Sequence, residues 1–219
     1  ELYLLHLSTP EEFALVSAAK NRGLKVYGEL VGYQLMFNTT DYKKYGNKIK
    51  VAPALRTPEY QAKMWELVRS GGIDVICSEH TPHEWETKNQ PDMWKAQAGT
   101  PGIQETLPAL ITGWIKRFGE KTLEEGLMKI VKYTGENPAR IFNFKGKGGI
   151  KIGNDADLVL IDTNNYWTVK KSDLFSKCGW SAYEGMQLLG RPSMTFLRGE
   201  LVYNNGKIIG EAKGKWINH

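Results

Sequence analysis

The sequence predicts an α/β fold in which parallel βα units give way to antiparallel strands. Three observations carry that expectation. Short apolar runs at Glu1–Leu7, Lys25–Val31 and Ile73–Cys77 alternate with helical segments over residues 1–142. Two of the helices open on Thr-Pro-Glu, at Thr9-Pro10-Glu11 and Thr57-Pro58-Glu59, an N-cap followed by proline at the first helical position. Beyond residue 142 the strands are closely spaced, and Asn204-Asn205-Gly206 marks a tight hairpin. A closed (β/α)8 barrel needs eight strands and about 250 residues. Three βα units therefore describe either a small open sheet or the later part of a barrel whose first strands lie elsewhere.

In order along the chain, Glu1–Leu7 is a buried strand, and Thr9 caps a helix whose apolar positions are Phe13, Leu15, Val16 and Ala19, stopping near Gly23. Lys25–Val31 is the second strand. Asn38 to Leu55 carries no periodicity and exceeds the usual connection length, which marks a functional loop. Tyr60, Met64, Leu67 and Val68 form the face of the next helix, which ends at Gly71-Gly72 before the strand Ile73–Cys77. A polar stretch runs to Gly102. One helix then presents Leu107, Leu110, Trp114 and Phe118; another begins at a capping box, Thr122-Leu123-Glu124-Glu125; Asn137-Pro138-Ala139-Arg140 starts a last short turn. Met64, Trp65 and Trp114 read as core, and Glu84 and Glu105 as solvated or helix-terminus charges. The tail strands are Gly146–Ile150, Ala156–Ile161, Met194–Leu197, Leu201–Tyr203 and Lys207–Ile209.

Composition excludes several classes. With 219 residues, 41% hydrophobic and 24% charged, the chain is globular. Its two cysteines, Cys77 and Cys178, are far apart and form no CxxC, so a disulfide framework is excluded and a reducing, cytoplasmic setting is expected. The net charge of +5 is small and dispersed, which fits a solvated surface rather than a nucleic-acid patch. No apolar run reaches the length of a membrane span, and no signal peptide opens the chain. The sequence starts at Glu1 and enters a strand at once, as the interior of a longer polypeptide would.

The chemistry gathers at strand ends. His6 falls at the C-terminal end of the first strand; Glu79, His80 and His83 fall just past the end of the third; His219 is terminal and without a role. In parallel α/β folds the strand C-termini form the active-site face. Glu and His are ordinary ligands for a divalent metal. Taken alone, His6 also fits a hydrogen-bonded rim residue.

These residues carry a family resemblance. Leu5-His6-Leu7-Ser8-Thr9 resembles the His-x-Ser-Thr strand end of the cyclic amidohydrolases, the group of dihydroorotase, hydantoinase/dihydropyrimidinase and allantoinase. Gly72 through His83 is similar to their "IDxIxSDHxPH" segment, Lys50-Val51-Ala52-Pro53-Ala54-Leu55-Arg56 to "KVNPPLR", and Ala98 through Pro108 to "SGxPGxETxLP". Asn137-Pro138-Ala139-Arg140-Ile141-Phe142 resembles "NPARIFG", and Gly153 through Leu158 resembles "GxDADL". The blocks come in order from residue 5 to residue 158.

The resemblance implies the C-terminal portion of a (β/α)8 TIM-type barrel plus the C-terminal strands of a small β-sandwich. Residues 1–142 would be barrel strands six to eight with the closing helices, and residues 143–219 the sandwich share. It implies a metal-dependent hydrolase of a small cyclic amide, closest in its blocks to dihydroorotase. One or two divalent ions, zinc among them, would be held by His6 and Glu79. Glu79 would shuttle the proton, His83 would meet a substrate carboxylate, and the backbone of Gly99, Pro101 and Gly102 would lie over the substrate. The first-strand His-x-His pair, the bridging carboxylated lysine and the strand-five histidine are expected from a preceding segment or a partner chain, in a homo-oligomer. Three places depart from the pattern. Glu79 stands for Asp, Gly32-Tyr33-Gln34 for the Pro-His-His of dihydroorotases, and Ala52 for the loop Asn. Those departures also fit a second reading, a catalytically degenerate homologue with a scaffold or partner-binding role. An unrelated α/β binding module is a third, and the glycines at 146–149 do not support it because they lead into an expected strand.

Overall fold

The computed structural model describes residues 1–217; the terminal His219 lies outside the described residues. The fold is α/β. Strand β1 (Leu2–Leu7), helix α1 (Pro10–Asn21), β2 (Val26–Val31), α2 (Gly32–Met36), α3 (Tyr42–Tyr45), α4 (Pro58–Ser70) and β3 (Val75–Cys77) come first. Then follow α5 (Trp85–Lys88), α6 (Thr106–Phe118), α7 (Leu123–Val131) and α8 (Asn137–Ile141). The remaining strands are β4 (Leu158–Asp162), β5 (Trp167–Thr168), β6 (Gln187–Leu188), β7 (Arg191–Leu197), β8 (Glu200–Asn204) and β9 (Lys207–Ile208).

β1, β2 and β3 form a parallel sheet in that order, so all their C-terminal ends lie on one rim. Period-two alternation sends Leu30 and Ile76 to one face, against Phe13 of α1, Met64, Trp65 and Val68 of α4, and Leu110, Ile111 and Trp114 of α6. Gly28 lets α1 approach, since a Cβ there would meet Leu7 Cδ1 at 2.9 Å and Phe13 Cε1 at 3.0 Å. The opposite face presents Tyr3, Glu29, Val75 and Cys77 to a concavity of about 590 Å³.

The N-terminal ends of the strands are held by Asp74. Its carboxylate accepts from Lys20 Nζ at 2.5 and 2.6 Å and from the Gly28 amide at 2.8 Å, and its carbonyl accepts Asn137 Nδ2 at 2.7 Å. Asp74→Asn is expected to cost about 1–3 kcal/mol in urea unfolding, because one charged acceptor serves both the helix and the strand. A loss under about 0.5 kcal/mol would show the contact to be incidental.

The tail is antiparallel, in the order β4-β7-β8-β9, with β5 and β6 as a separate pair. Asn205 and Gly206, at φ +44° and +90°, make the two-residue β8–β9 turn that the Asn-Asn-Gly signal predicts. Residues between β5 and β7 return to the helical layer. Leu189 joins the first core, its amide donates to Thr112 Oγ1 at 2.8 Å, and Val169, Tyr183 and Leu188 join a second core above the rim. No helix among the described residues is long and apolar enough to cross a membrane.

Five expectations are corrected. β1 is not a buried strand: Leu2 and Leu5 are exposed and the rest of it is half-buried. Gly146–Ile150 is not a strand. Positive φ at Gly146 and Gly148 coils it, and Asp155 N donates back to Gly146 O at 2.9 Å. Thr122 caps nothing, because its hydroxyl donates to Gly119 O at 2.8 Å and accepts Trp114 Nε1 at 2.9 Å. Leu15 is 73% exposed, two positions from Phe13 and so on another face of α1. The segment 38–55 is not featureless. It contains a 3-10 turn at Thr39–Asp41, α3 and a second turn at Gly46–Ile49, and buries Ile49, Val51 and Leu55 in the second core.

Candidate active site

The rim is built from unusual backbone. His6 and Glu79 both have left-handed φ, +44° and +43°, a region non-glycine residues rarely occupy. At His6 the β1–β2 register shifts between Leu4 and Leu7, a bulge that re-aims the side chain at the strand end. Directly after it, Ser8 is buried. Its Oγ accepts Arg56 Nε at 3.1 Å and Nη2 at 2.8 Å, and its amide donates to Glu12 Oε2 at 2.6 Å. Glu12 also closes the capping box with Thr9. Burial pulls the Glu12 carboxyl up, but the Ser8 and Thr9 amides, the Thr9 hydroxyl and Arg56 outweigh it and hold it below the usual carboxylate range. Arg56 of the 50–56 block is thus a support for the His6 turn.

β2 delivers Tyr33. The chain passes from Val31 straight into α2, and Tyr33 is 3% exposed in the second core. Its hydroxyl donates to Glu79 Oε2. Burial first, then the Glu79 carboxylate, pushes the phenol well above its ordinary value, so it stays a donor. On the inner face, Tyr3 OH donates to Glu29 Oε2 at 2.7 Å, and the His6 amide reaches Glu29 Oε1 at 3.5 Å. Burial, then Glu29, raises the Cys77 thiol well above its usual range, so Cys77 is no nucleophile.

The segment after Glu79 folds back over the rim. His80 pairs with Thr100 as an isolated bridge, and His80 Nδ1 accepts the amides of Gly102 at 3.1 Å and Ile103 at 3.3 Å. Burial lowers the His80 pKa. His83 Nε2 donates to Ala98 O at 2.9 Å, and its own carbonyl accepts Trp180 Nε1 at 2.7 Å. Gly99, at φ +126°, is obligatory: a Cβ would fall 2.6 Å from Thr81 Cβ. Its amide donates to Lys50 O at 2.9 Å. The amides of Gly99 and Gly102 are therefore engaged within the fold, while Pro101 lines a cavity of about 390 Å³ with His80, Ile103 and Gln104.

Lys88 locks this segment from beneath. It is fully buried, and its Nζ donates to the carbonyls of Lys50 at 2.6 Å, Gln97 at 2.9 Å and Gly99. Glu105 stands at a helix terminus, as one of its two readings has it, but it is 3% exposed and not solvated. Burial raises its carboxyl, and a hydrogen bond with the Ser181 side chain opposes that rise. It sits at the start of α6 and sends its field onto buried Tyr183.

No protein-family profile matches the chain. Relatives do. An allantoinase of Rubrobacter xylanophilus is 35% identical over 99% of this chain and 46% of its own length. A dihydroorotase of Pyrococcus abyssi is 34% identical over 99% of this chain and 49% of its own. The solved L-hydantoinase (dihydropyrimidinase) of Arthrobacter aurescens superposes with a TM-score of 0.88 at 31% identity, over 95% of this chain and 46% of that one. The chain belongs to the cyclic amidohydrolases. It spans about half the length of the relatives it matches and corresponds to a C-terminal part of them. Its parallel sheet is a portion of the barrel of these amidohydrolases.

Against that frame the donor set is incomplete. His6 and Glu79 sit on strands separated by β2, so about 10 Å apart at the strand axes. Among the described residues no group of three or more His, Cys, Asp or Glu side chains comes together to hold a metal. Histidine and glutamate are ordinary ligand types for a divalent ion, but two such side chains alone do not make a metal centre. Tyr33, Glu29 and Lys88 were not among the residues singled out from the sequence as site residues. A carboxylate inside the apolar run Val26–Val31 was the available signal for Glu29, and a position just past a strand end was the signal for Tyr33.

Proposed function

We propose that this chain supplies the C-terminal share of the active site of a hydrolase that opens a ring at a cyclic amide bond. The observation that carries the reading is the placement of Glu79, half-buried on a left-handed turn at the end of β3, on the same rim as His6. A water attacks the ring carbonyl, Glu79 takes its proton, the ring C–N bond breaks, and the same proton passes to the departing nitrogen. The half-buried His83 and the folded-back segment with Gly99, Pro101 and Gly102 bound the substrate side. A divalent ion, zinc in this proposal, would polarise the carbonyl and acidify the water. His6 and Glu79 would be its ligands from this chain, the others coming from outside it. Allantoin, a hydantoin and dihydroorotate are the candidate rings.

The proposal divides the chain into a barrel part, 1–142, and a sandwich part, 143–219, the latter supported by the antiparallel order of β4, β7, β8 and β9. Exposed Leu2 and Leu5 on β1, Leu15 on α1 and Leu24 in the connection to β2 support contact with the first half of a barrel, in a homo-oligomeric protein. The second reading, a degenerate scaffold, draws on Glu79 standing for Asp and on the two-donor set. Elemental analysis of the complete protein and a ring-opening panel of the three substrates separate the two. One or two ions per chain with turnover of at least one ring supports the hydrolase. No metal after reconstitution, and no turnover, supports the scaffold.

A further inference from the structure

We infer that Tyr33 is a positioning residue, whose hydroxyl holds the Glu79 carboxylate where that group serves proton transfer. The inference rests on the hydrolase reading above. Glu79 alone is poorly fixed: its side chain carries three torsions, it is half-buried, and its backbone is a turn rather than a strand. Tyr33 is the opposite. It is buried on α2, which leaves β2 without an intervening residue, and Phe37 N donates to Tyr33 O at 2.9 Å. The neighbours of Tyr33 on α2 are pinned too, with Trp65 Nε1 donating to Leu35 O at 2.9 Å and Gln34 Nε2 to Pro53 O at 3.3 Å. A rigid donor therefore meets a flexible acceptor. It engages Oε2 and leaves Oε1 for the reaction. The extra methylene of glutamate over aspartate is what brings the carboxylate to that hydroxyl, so the acid at position 79 and the phenol at position 33 work as a pair.

The test is a double-mutant cycle in the complete protein. Tyr33→Phe is expected to lower kcat by about 10²-fold with KM changed by less than about threefold, since misplacement by about an ångström costs that much. In a Glu79→Asp background the same change is expected to cost less than about twofold, because the shorter carboxylate no longer reaches the hydroxyl. A purely structural role for Tyr33 would cost the same in both backgrounds, and that result overturns the inference. So does an unchanged kcat in Tyr33→Phe. In crystals of Tyr33→Phe, the Glu79 carboxylate should leave its place while α2 stays; a carboxylate that does not move also overturns it. A wild-type protein that opens no ring overturns the hydrolase reading and this inference with it, whereas an active wild type with an indifferent Tyr33→Phe overturns this inference alone.

Discussion

Glu79→Gln in the complete protein is expected to lower kcat for ring opening by about 10²–10⁴-fold, the usual worth of a positioned acid–base group. The amide keeps the shape of the side chain and an oxygen to accept from Tyr33, so the turn at φ +43° and its hydrogen bond survive. What it loses is the capacity to take a proton from water and return it to nitrogen, together with the charge of the ligand that the proposed ion would take from this chain. Because the site is half-buried and the change is isosteric, the unfolding midpoint should move by no more than about 0.5 kcal/mol equivalent. Steady-state kinetics with calorimetry on the same sample separates the two effects. Retention of more than about a tenth of wild-type kcat would remove Glu79 from the chemistry, since the general-base term is at least about 10²-fold.

The barrel strands were readable because they obey local rules. Thr9-Pro10-Glu11-Glu12 gives a capping box whatever the tertiary context, and β1 to β3 are short apolar runs bounded by polar residues and glycines. The rim position of His6 and Glu79 followed from strand direction alone. Features decided by a distant partner were not readable. Gly146–Ile150 has the look of a strand but no strand to pair with, and Thr122 loses its capping role to Trp114, eight residues earlier. Glu105 is buried because Ser181 and Tyr183 arrive from far along the chain, and the Tyr33–Glu79 bond spans 46 positions. Position 33 departs from the family pattern in the sequence itself. Only the fold shows that this departure meets the one at position 79.

Lys88→Met should produce the largest loss of stability, about 2–4 kcal/mol, concentrated in the segment that covers the rim. Two terms oppose each other. Three carbonyls, those of Lys50, Gln97 and Gly99, lose a charged donor, each hydrogen bond worth about 1.5–3 kcal/mol. Removing the buried charge returns part of that. Burial and the Lys50 ammonium push Lys88 down to about 8, and a shift of that size corresponds to about 3 kcal/mol. The carbonyls win because methionine offers none of them a hydrogen. The Gly99 amide, which donates to Lys50 O, should lose protection in hydrogen exchange before the core does. The pH dependence has a definite sign. With a folded pKa of about 8 and an unfolded one near 10.4, the native state holds fewer protons between those values, so wild-type stability rises as pH climbs through that window. Lys88→Met lacks the rise, and the gap between the two proteins should be wider at pH 9.5 than at pH 7. A gap that narrows would mean that the charged ammonium, rather than its hydrogens, holds the three carbonyls together.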